Sequence, residues 1–207
     1  MSRPVTVYAE MTPNPSTMKF VSDIMLIEQG SVAEFLSLSD CKGYSSFAEA
    51  LFSFPFVTGV FIANNFVTVY KNDAIEWGDV VTELREFIRT WLIEHEIIVE
   101  KVPETLIQEV NPSSVEKESV KIEPPVINSE TDQKIVDLIN EYVQPAVEQD
   151  GGAIHFQSFD EESGKVTVIL KGSCSGCPSS TATLKGGVET LLKTHLPEVN
   201  EVIALNG

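Results

Sequence analysis

The hydrophobic pattern of the first hundred residues predicts a sheet. Apolar residues dominate 5–11 and 19–28, as is typical of strands, and the loop TPNPST at 12–17 separates them. Each proline in that loop disfavours helix in the residue before it. Two further strands, VTGVFIA and FVTVYK, flank Asn64 and Asn65. Asparagine tolerates the positive φ of a tight turn, so this pair predicts a β-hairpin.

Helical spacing of apolar residues appears twice in the same half. Residues 45–53 predict a short helix, and residues 79–95 predict a long one that Asp79 caps. The single apolar face of the long helix consists of Val80, Leu84, Phe87, Ile88, Trp91 and Leu92. The first half is therefore predicted to be a small α+β domain, and its pattern contains no catalytic set.

The second half predicts the order helix, hairpin, helix, strand. A first helix starts at Thr131 or Asp132 and leads to the turn Asp150-Gly151-Gly152, where glycine lets the backbone bend into a strand. AIHFQSF and VTVILKG form a hairpin around DEESGK, a helix begins at Pro178, and EVIAL is a last strand. The residues that share a face of the first helix are Ile135, Leu138, Ile139, Tyr142 and Val143.

A proline-rich segment separates the two halves. Residues 101–128 contain four prolines, which remove backbone donors and fix φ, so no helix or central strand is expected there. The predicted fold is thus α+β: two small domains, 1–100 and 129–207, joined by a linker at 101–128.

Charge narrows the range of partners. The 207 residues include 31 acidic and 14 basic side chains, a net charge of −17, and both halves are acidic. Nucleic-acid binding needs clustered lysine and arginine, and docking on anionic lipid needs them too, so neither is expected. No stretch approaches the length of about 20 apolar residues that spans a bilayer.

Cysteine usage indicates a reducing compartment. Cys41, Cys174 and Cys177 are too few, and odd in number, for a disulfide framework in a chain of this length. The start MSRPVTVYAEM reads neither as a signal peptide nor as a transit peptide. We expect a bacterial cytoplasmic location, or the mitochondrial matrix if a presequence has been removed.

Cys174 and Cys177 lie in the segment GSCSGCPSS, whose composition suits a metal centre. The CxxC spacing lets both sulfurs face one centre, and the surrounding glycines and serines let the loop bend and leave room for sulfide. Pro178 puts the loop at the mouth of a helix, where the positive end of the dipole favours thiolate.

The ligand count indicates a shared site. A zinc ion or a cubane cluster usually takes four protein ligands, and this loop offers two. Cys41 lies in the other domain, and His155 and His195 are expected to be packed or surface residues rather than ligands. Two chains related by a two-fold axis could each donate Cys174 and Cys177. A cluster held this way on an exposed loop can leave, which suits a carrier.

These residues carry a resemblance to a known family. VQPAVEQDGGAIHF and LKGSCSGCPSSTATLKGGVETLL resemble the C-terminal domain of NifU-like proteins of the Nfu class. TPNPSTMKF, FPFVTGVFIANNFVTV and IEWGDV resemble the N-terminal domain of the same class. The resemblance covers both domains and omits only the linker.

The resemblance implies an iron–sulfur scaffold or carrier rather than an enzyme. Such proteins typically hold a [4Fe–4S] cluster between two subunits through the cysteines that match Cys174 and Cys177. For this chain, [2Fe–2S] is the alternative cofactor. They receive it from upstream assembly machinery and pass it to apo-proteins. The N-terminal domain is thought to contribute to client recognition or stability and carries no ligand.

Two other interpretations of the CxxC remain open. One is a dithiol–disulfide oxidoreductase, which the position of the CxxC at a helix start favours. Against it, the residue before Cys174 is Ser173, whereas a thioredoxin-like motif has an aromatic residue there. The other is a zinc-bridged structural dimer. Cluster binding that requires Cys174 would separate the carrier from both.

Overall fold

The computed structural model of the chain describes residues 4–103, 106–108, 119–121, 129–175 and 178–206, and at 106–108, 119–121 and 178–180 it describes the backbone alone. The chain divides into two compact units, Met1–Pro103 and Glu104–Gly207. Both mix helices and strands, which confirms the predicted α+β class with two domains. The boundaries at 100 and 129 stay a prediction.

The first unit is built on a five-stranded antiparallel sheet with the strand order β1-β2-β5-β4-β3. The predicted hairpin is confirmed, with Ala63 opposite Phe66 and Asn64 at φ 45° in the turn. The strands are β1 (Val7–Met11), β2 (Thr17–Ser22), β3 (Val32–Phe35), β4 (Val57–Ala63) and β5 (Phe66–Lys71).

The predicted strand at 19–28 was wrong in extent. Strand β2 ends at Ser22, and the pattern missed the short strand β3. The amide of Leu26 donates to the carbonyl of Asn64 at 2.7 Å, so the chain leaves β2 and crosses the hairpin turn. Leu26 and Ile27 are buried in that crossing, which is why the apolar run continues without a strand.

Three helices complete the first unit: α1 (Leu38–Cys41), α2 (Ser46–Leu51) and α3 (Trp77–Glu94). Asp79 was wrongly predicted to cap α3, because the helix begins two residues earlier and Glu76 occupies the cap position. The Trp77 indole donates to the carbonyl of Pro15 at 2.9 Å, which fixes this earlier start. The predicted face is buried at four positions and half-buried at the other two, Phe87 and Trp91.

Two short strands lie within the segment predicted as a linker. Strand β6 (Leu106–Gln108) pairs antiparallel with β7 (Ser119–Lys121). The rest of the segment from 104 to 128 lies outside the described residues.

The second unit has the predicted order of helix, hairpin, helix and strand. Strand β9 is central in its three-stranded sheet, antiparallel to β8 and parallel to β10. After β6 and β7, the elements of this unit are α4 (Glu130–Leu138), a π-helical turn (Ile139–Val143), α5 (Gln144–Gln149), β8 (Gly152–Asp160), β9 (Lys165–Gly172), α6 (Pro178–His195) and β10 (Glu201–Asn206).

The start of α4 differs from its prediction at Thr131 or Asp132. Ser129 is the cap: its hydroxyl accepts from the amide of Asp132 at 3.1 Å, and the Asp132 carboxylate accepts from the amide of Ser129. This reciprocal capping box satisfies two backbone donors that the helix leaves open. The sequence signal was the Ser129–Asp132 spacing.

Pro145 accounts for the π-helical turn that follows. Proline has no N–H, and its ring clashes with the carbonyl four residues back, which belongs to Glu141. The chain widens there, and the amide of Gln144 bonds the carbonyl of Ile139 five residues back. Tyr142, predicted on the buried face, is instead 55% exposed and stacks on the ring of His195, whereas Ile139 and Val143 of the same turn are buried.

No helix in the described part of the chain is long and apolar enough to cross a membrane.

Candidate metal centre

The predicted cysteine loop joins the end of β9 to the start of α6. Gly172 ends β9 with φ 68°, and α6 begins at Pro178 as predicted. Cys174 lies in the described half of the loop. Gly176 and Cys177 lie outside the described residues, so the pairing of Cys174 with Cys177 stays a prediction.

Cys174 is buried, with 5% of its surface exposed, and belongs to the core of the second unit. This corrects the expectation of an exposed ligand. Its sulfur lies against Gly152, the first residue of β8. A Cβ at Gly152 would lie 2.9 Å from the Cys174 Sγ and 2.6 Å from the carbonyl oxygen of Lys171. The thiol therefore occupies space that only glycine at this position leaves open.

The Asp150-Gly151-Gly152 turn also holds the residue before the cysteine. The amide of Ser173 donates to the carbonyl of Gly151 at 3.2 Å, and the Ser173 hydroxyl donates to the carbonyl of Asp150. Gly151 adopts φ 84°, a left-handed conformation that favours glycine, as the predicted turn requires. The turn thus shapes the entry to β8 and fixes the start of the cysteine loop.

A second contact reaches Cys174 from the helix. The Thr181 hydroxyl, in the first turn of α6, donates to the carbonyl of Cys174 at 3.2 Å. The loop is consequently held at the sheet side by Ser173 and at the helix side by Thr181.

The third cysteine, Cys41, is also buried, but in the core of the first unit. Cys41 is fully buried in the first unit, and its thiol donates to the carbonyl of Ser37 at 3.5 Å. Burial, with the carboxylates of Asp40 and Glu49, raises the pKa of Cys41 to about 12. It stays protonated at neutral pH, and a protonated thiol is a poor metal ligand.

The two histidines of the second unit, His155 and His195, lie one on a strand and one at a helix end. His155 is on β8, where burial and then the charge of Lys171 lower its pKa to about 4, and its Nε2 atom has no hydrogen-bond partner among the described residues. His195 ends α6 and stacks on Tyr142 with 6.2 Å between ring centres. Within the described ranges, His, Cys, Asp and Glu side chains form no group of three or more that could hold a metal.

Sequence reasoning found the cysteine and the turn but missed two of their contacts. The sequence indicated the steric role of Gly152 only in part, because the glycine pair predicted a turn but not a contact with Cys174. Thr181 had none, because a threonine in the first turn of a helix is common and its partner is decided by the loop.

Two family models match the chain. The model described as "NifU-like domain" matches residues 135–203, and the model described as "Scaffold protein Nfu/NifU N terminal" matches residues 7–95. Cys174 and Cys177 fall in the first match, and the five-stranded sheet falls in the second.

The chain is also similar to curated proteins over nearly its whole length. "NifU-like protein, mitochondrial" of Saccharomyces cerevisiae is 30% identical, over 94% of this chain and 78% of that protein. "NifU-like protein 4, mitochondrial" of Arabidopsis thaliana is 32% identical, over 97% and 66%. "NFU1 iron-sulfur cluster scaffold homolog, mitochondrial" of Drosophila willistoni is 30% identical; the match covers 97% of this chain but only 63% of the fly protein.

Proposed function

Because this chain belongs to the Nfu class of NifU-like scaffold proteins, we propose that it carries a [4Fe–4S] cluster between two copies of itself and delivers it to apo-proteins. Cys174 and Cys177 are the proposed ligands. The observation that carries the proposal is the position of Cys174, held by the Asp150-Gly151-Gly152 turn and by α6 at the mouth of that helix.

The ligand chemistry supports this cargo. Cysteine thiolates are the usual ligands of iron–sulfur clusters, and a cubane takes four of them. Two copies of a CxxC supply that number across a two-fold axis. The start of α6 favours the thiolate form, while Cys41 is kept protonated in the other unit and takes no part.

Delivery follows from a site that is divided between two chains. Client cysteines replace the four thiolates one after another, and the two copies part when the last one is exchanged. This role involves no turnover of a substrate, so we propose a carrier rather than an enzyme. Upstream assembly machinery supplies the cluster, and apo iron–sulfur proteins receive it.

The relatives' names also bear on location and organisation. All three compared proteins are named mitochondrial, which favours the mitochondrial matrix over the bacterial cytoplasm that we first expected. Within this chain we assign cluster binding to 129–207 and client recognition or stability to 1–100, with 101–128 as the connection. Fractionation of cells that express the full-length protein tests the location.

Anaerobic reconstitution with iron and sulfide tests the cargo. We expect about four irons for two chains by Mössbauer and visible spectroscopy, together with a doubling of mass in solution. Cys174→Ala and Cys177→Ala should each abolish both. The matched control is Cys41→Ala, which removes the third cysteine and should retain both. A stable four-iron cluster on Cys174→Ala would overturn the proposal.

Two further assays separate the rival interpretations. Transfer of the cluster to an apo-protein, followed by its recovered activity, supports the carrier and is not expected of a zinc-bridged dimer. Insulin reduction by the cluster-free chain at a useful rate, without any uptake of iron, would instead establish a dithiol–disulfide oxidoreductase.

A further inference from the structure

Cys174 is enclosed in this structure, yet the proposed function needs its sulfur to meet a cluster and then a client. With 5% of its surface exposed and its Sγ against Gly152, the thiol faces the core of the second unit. A reagent or client cysteine cannot approach it in this arrangement. Ser173 and Cys174 must move locally before the sulfur is reached, and the free energy of a local opening of this kind is set by the contacts that it breaks.

We propose that Ser173 and Thr181 are positioning residues that hold Cys174 in this closed form and so set the rate at which the site is loaded and emptied. The predicted effect on cluster loading and release rests on the proposed function. The predicted effect of the two hydroxyls on the accessibility of Cys174 does not. Neither residue is a ligand in this scheme; both act through Cys174.

Ser173 makes two hydrogen bonds that hold the start of the cysteine loop against the Asp150-Gly151-Gly152 turn. Its amide bonds the carbonyl of Gly151 and its hydroxyl bonds the carbonyl of Asp150. The hydroxyl oxygen also lies 3.9 Å from the Cys174 Sγ, within range of a sulfur hydrogen bond. Releasing the hydroxyl from Asp150 therefore removes one of the bonds that hold the residue next to Cys174 and changes the surroundings of the sulfur.

Thr181 contacts the cysteine loop from α6, which distinguishes it from Thr190 and Thr194 on the same helix. Thr190 and Thr194 donate to carbonyls of their own helix four residues back, Gly186 and Thr190, at 2.8 and 2.7 Å. That is the ordinary behaviour of threonine in a helix. Thr181 instead donates outside α6, to the carbonyl of Cys174. Its hydroxyl therefore ties Cys174 to the first turn of α6.

The experiment measures alkylation of Cys174 by iodoacetamide in the cluster-free chain, with fragment-ion mass spectrometry to distinguish it from Cys177. We expect Ser173→Ala and Thr181→Ala each to raise the rate roughly fivefold, the effect of losing one ordinary hydrogen bond from the closed state. Thr181→Ser keeps the hydroxyl and should restore a rate near that of the unaltered chain. Buried Cys41 serves as an internal reference for the fold of the first unit.

Thr194→Ala is the matched control, because it removes a threonine hydroxyl from the same helix without touching the loop. Its Cys174 alkylation rate should equal that of the unaltered chain, and far-UV circular dichroism should show all variants folded. After reconstitution, Ser173→Ala and Thr181→Ala should lose iron to a chelator faster by a similar factor, whereas Thr181→Ser should not.

Three outcomes would overturn the proposal. Unchanged Cys174 alkylation in both alanine variants would show that the hydroxyls do not hold the loop closed. An equal increase in Thr194→Ala would show a general loosening of α6, and a failure of Thr181→Ser to restore the rate would exclude the hydroxyl as the cause. If instead the alkylation rates respond as expected but no chain binds a cluster, the closed loop stands and the proposed function fails.

Discussion

The contact between Gly152 and Cys174 makes one substitution especially informative. Gly152→Ala adds a Cβ that would lie 2.6 Å from the Lys171 carbonyl oxygen and 2.9 Å from the Cys174 Sγ. Both distances are shorter than van der Waals contact, so something must move. The Lys171 carbonyl belongs to β9, which is paired to β8 on one side and β10 on the other, and cannot retreat cheaply. We expect Cys174 to move instead.

The expected cost follows from overpacking. Inserting a methyl group into a packed site typically destabilises by about 1–3 kcal/mol. A decrease of about 2 kcal/mol in the free energy of unfolding lowers the melting temperature of a unit of this size by roughly 8–16 °C. The displaced Cys174 should also bind iron less well after reconstitution, because its sulfur no longer has a fixed position.

The assay uses the distribution of tryptophan. Both tryptophans, Trp77 and Trp91, lie in the first unit, so their fluorescence follows its unfolding, whereas far-UV circular dichroism follows both units. Gly152→Ala should shift the dichroism transition and leave the fluorescence transition in place. A multidomain chain need not unfold in two states, which is why two probes are needed.

Gly187→Ala is the matched control, since it makes the same chemical change in the same unit. A Cβ at Gly187 would meet nothing within 4 Å, and alanine is favoured over glycine in a helix interior by about 1 kcal/mol. This variant should therefore melt higher than the unaltered chain. If Gly152→Ala melted at or above the unaltered chain, or retained normal iron binding, the reasoning from the glycine contact would be refuted.

Three further variants test other parts of the structure. His155 has a native pKa near 4, below its unfolded value of about 6.5, so the unfolded chain binds the extra proton and stability falls by up to about 3 kcal/mol as pH drops from 6.5 to 4. Denaturant titrations across that window should show a shallower fall for His155→Phe, and an unchanged slope would contradict the assignment. Ser129→Ala removes the cap of α4 and should lower the free energy of unfolding of the second unit by about 1 kcal/mol. The dichroism transition should shift accordingly, and the tryptophan fluorescence transition should not change. Leu84→Ala, at a fully buried position of α3, should cost about 2–5 kcal/mol in the fluorescence transition while iron binding persists; loss of iron binding would show that the site depends on the first unit.

Much of the fold followed from local pattern. The Asn64-Asn65 hairpin, the Asp150-Gly151-Gly152 turn and the start of α6 at Pro178 were all predicted, because turn residues and prolines act on the backbone next to them. The errors fell where a distant partner decides the outcome. The apolar run at 19–28 is part strand and part crossing, because the amide of Leu26 bonds to Asn64 rather than to a neighbouring strand.

Helix starts show the same division. Asp79 and Asp132 were both plausible caps by residue type, and each lies in a first turn instead. Trp77 begins α3 because its indole reaches the carbonyl of Pro15, far away in sequence. Ser129 caps α4 through its contact with Asp132, only three residues away in sequence. That start could therefore have been predicted from the spacing of the two residues.

The sequence by itself determined the α+β class, the element order from residue 129 onward, and the presence of a CxxC in a glycine–serine segment just before the helix that begins at Pro178. These depend on residue type and on neighbours along the chain. Only the tertiary structure decided that Cys174 is buried, that Gly152 leaves the space for its sulfur, and that Ser173 and Thr181 hold it. Those facts depend on contacts that β8, β9 and α6 make when they pack together, and no local pattern encodes which atoms will then meet.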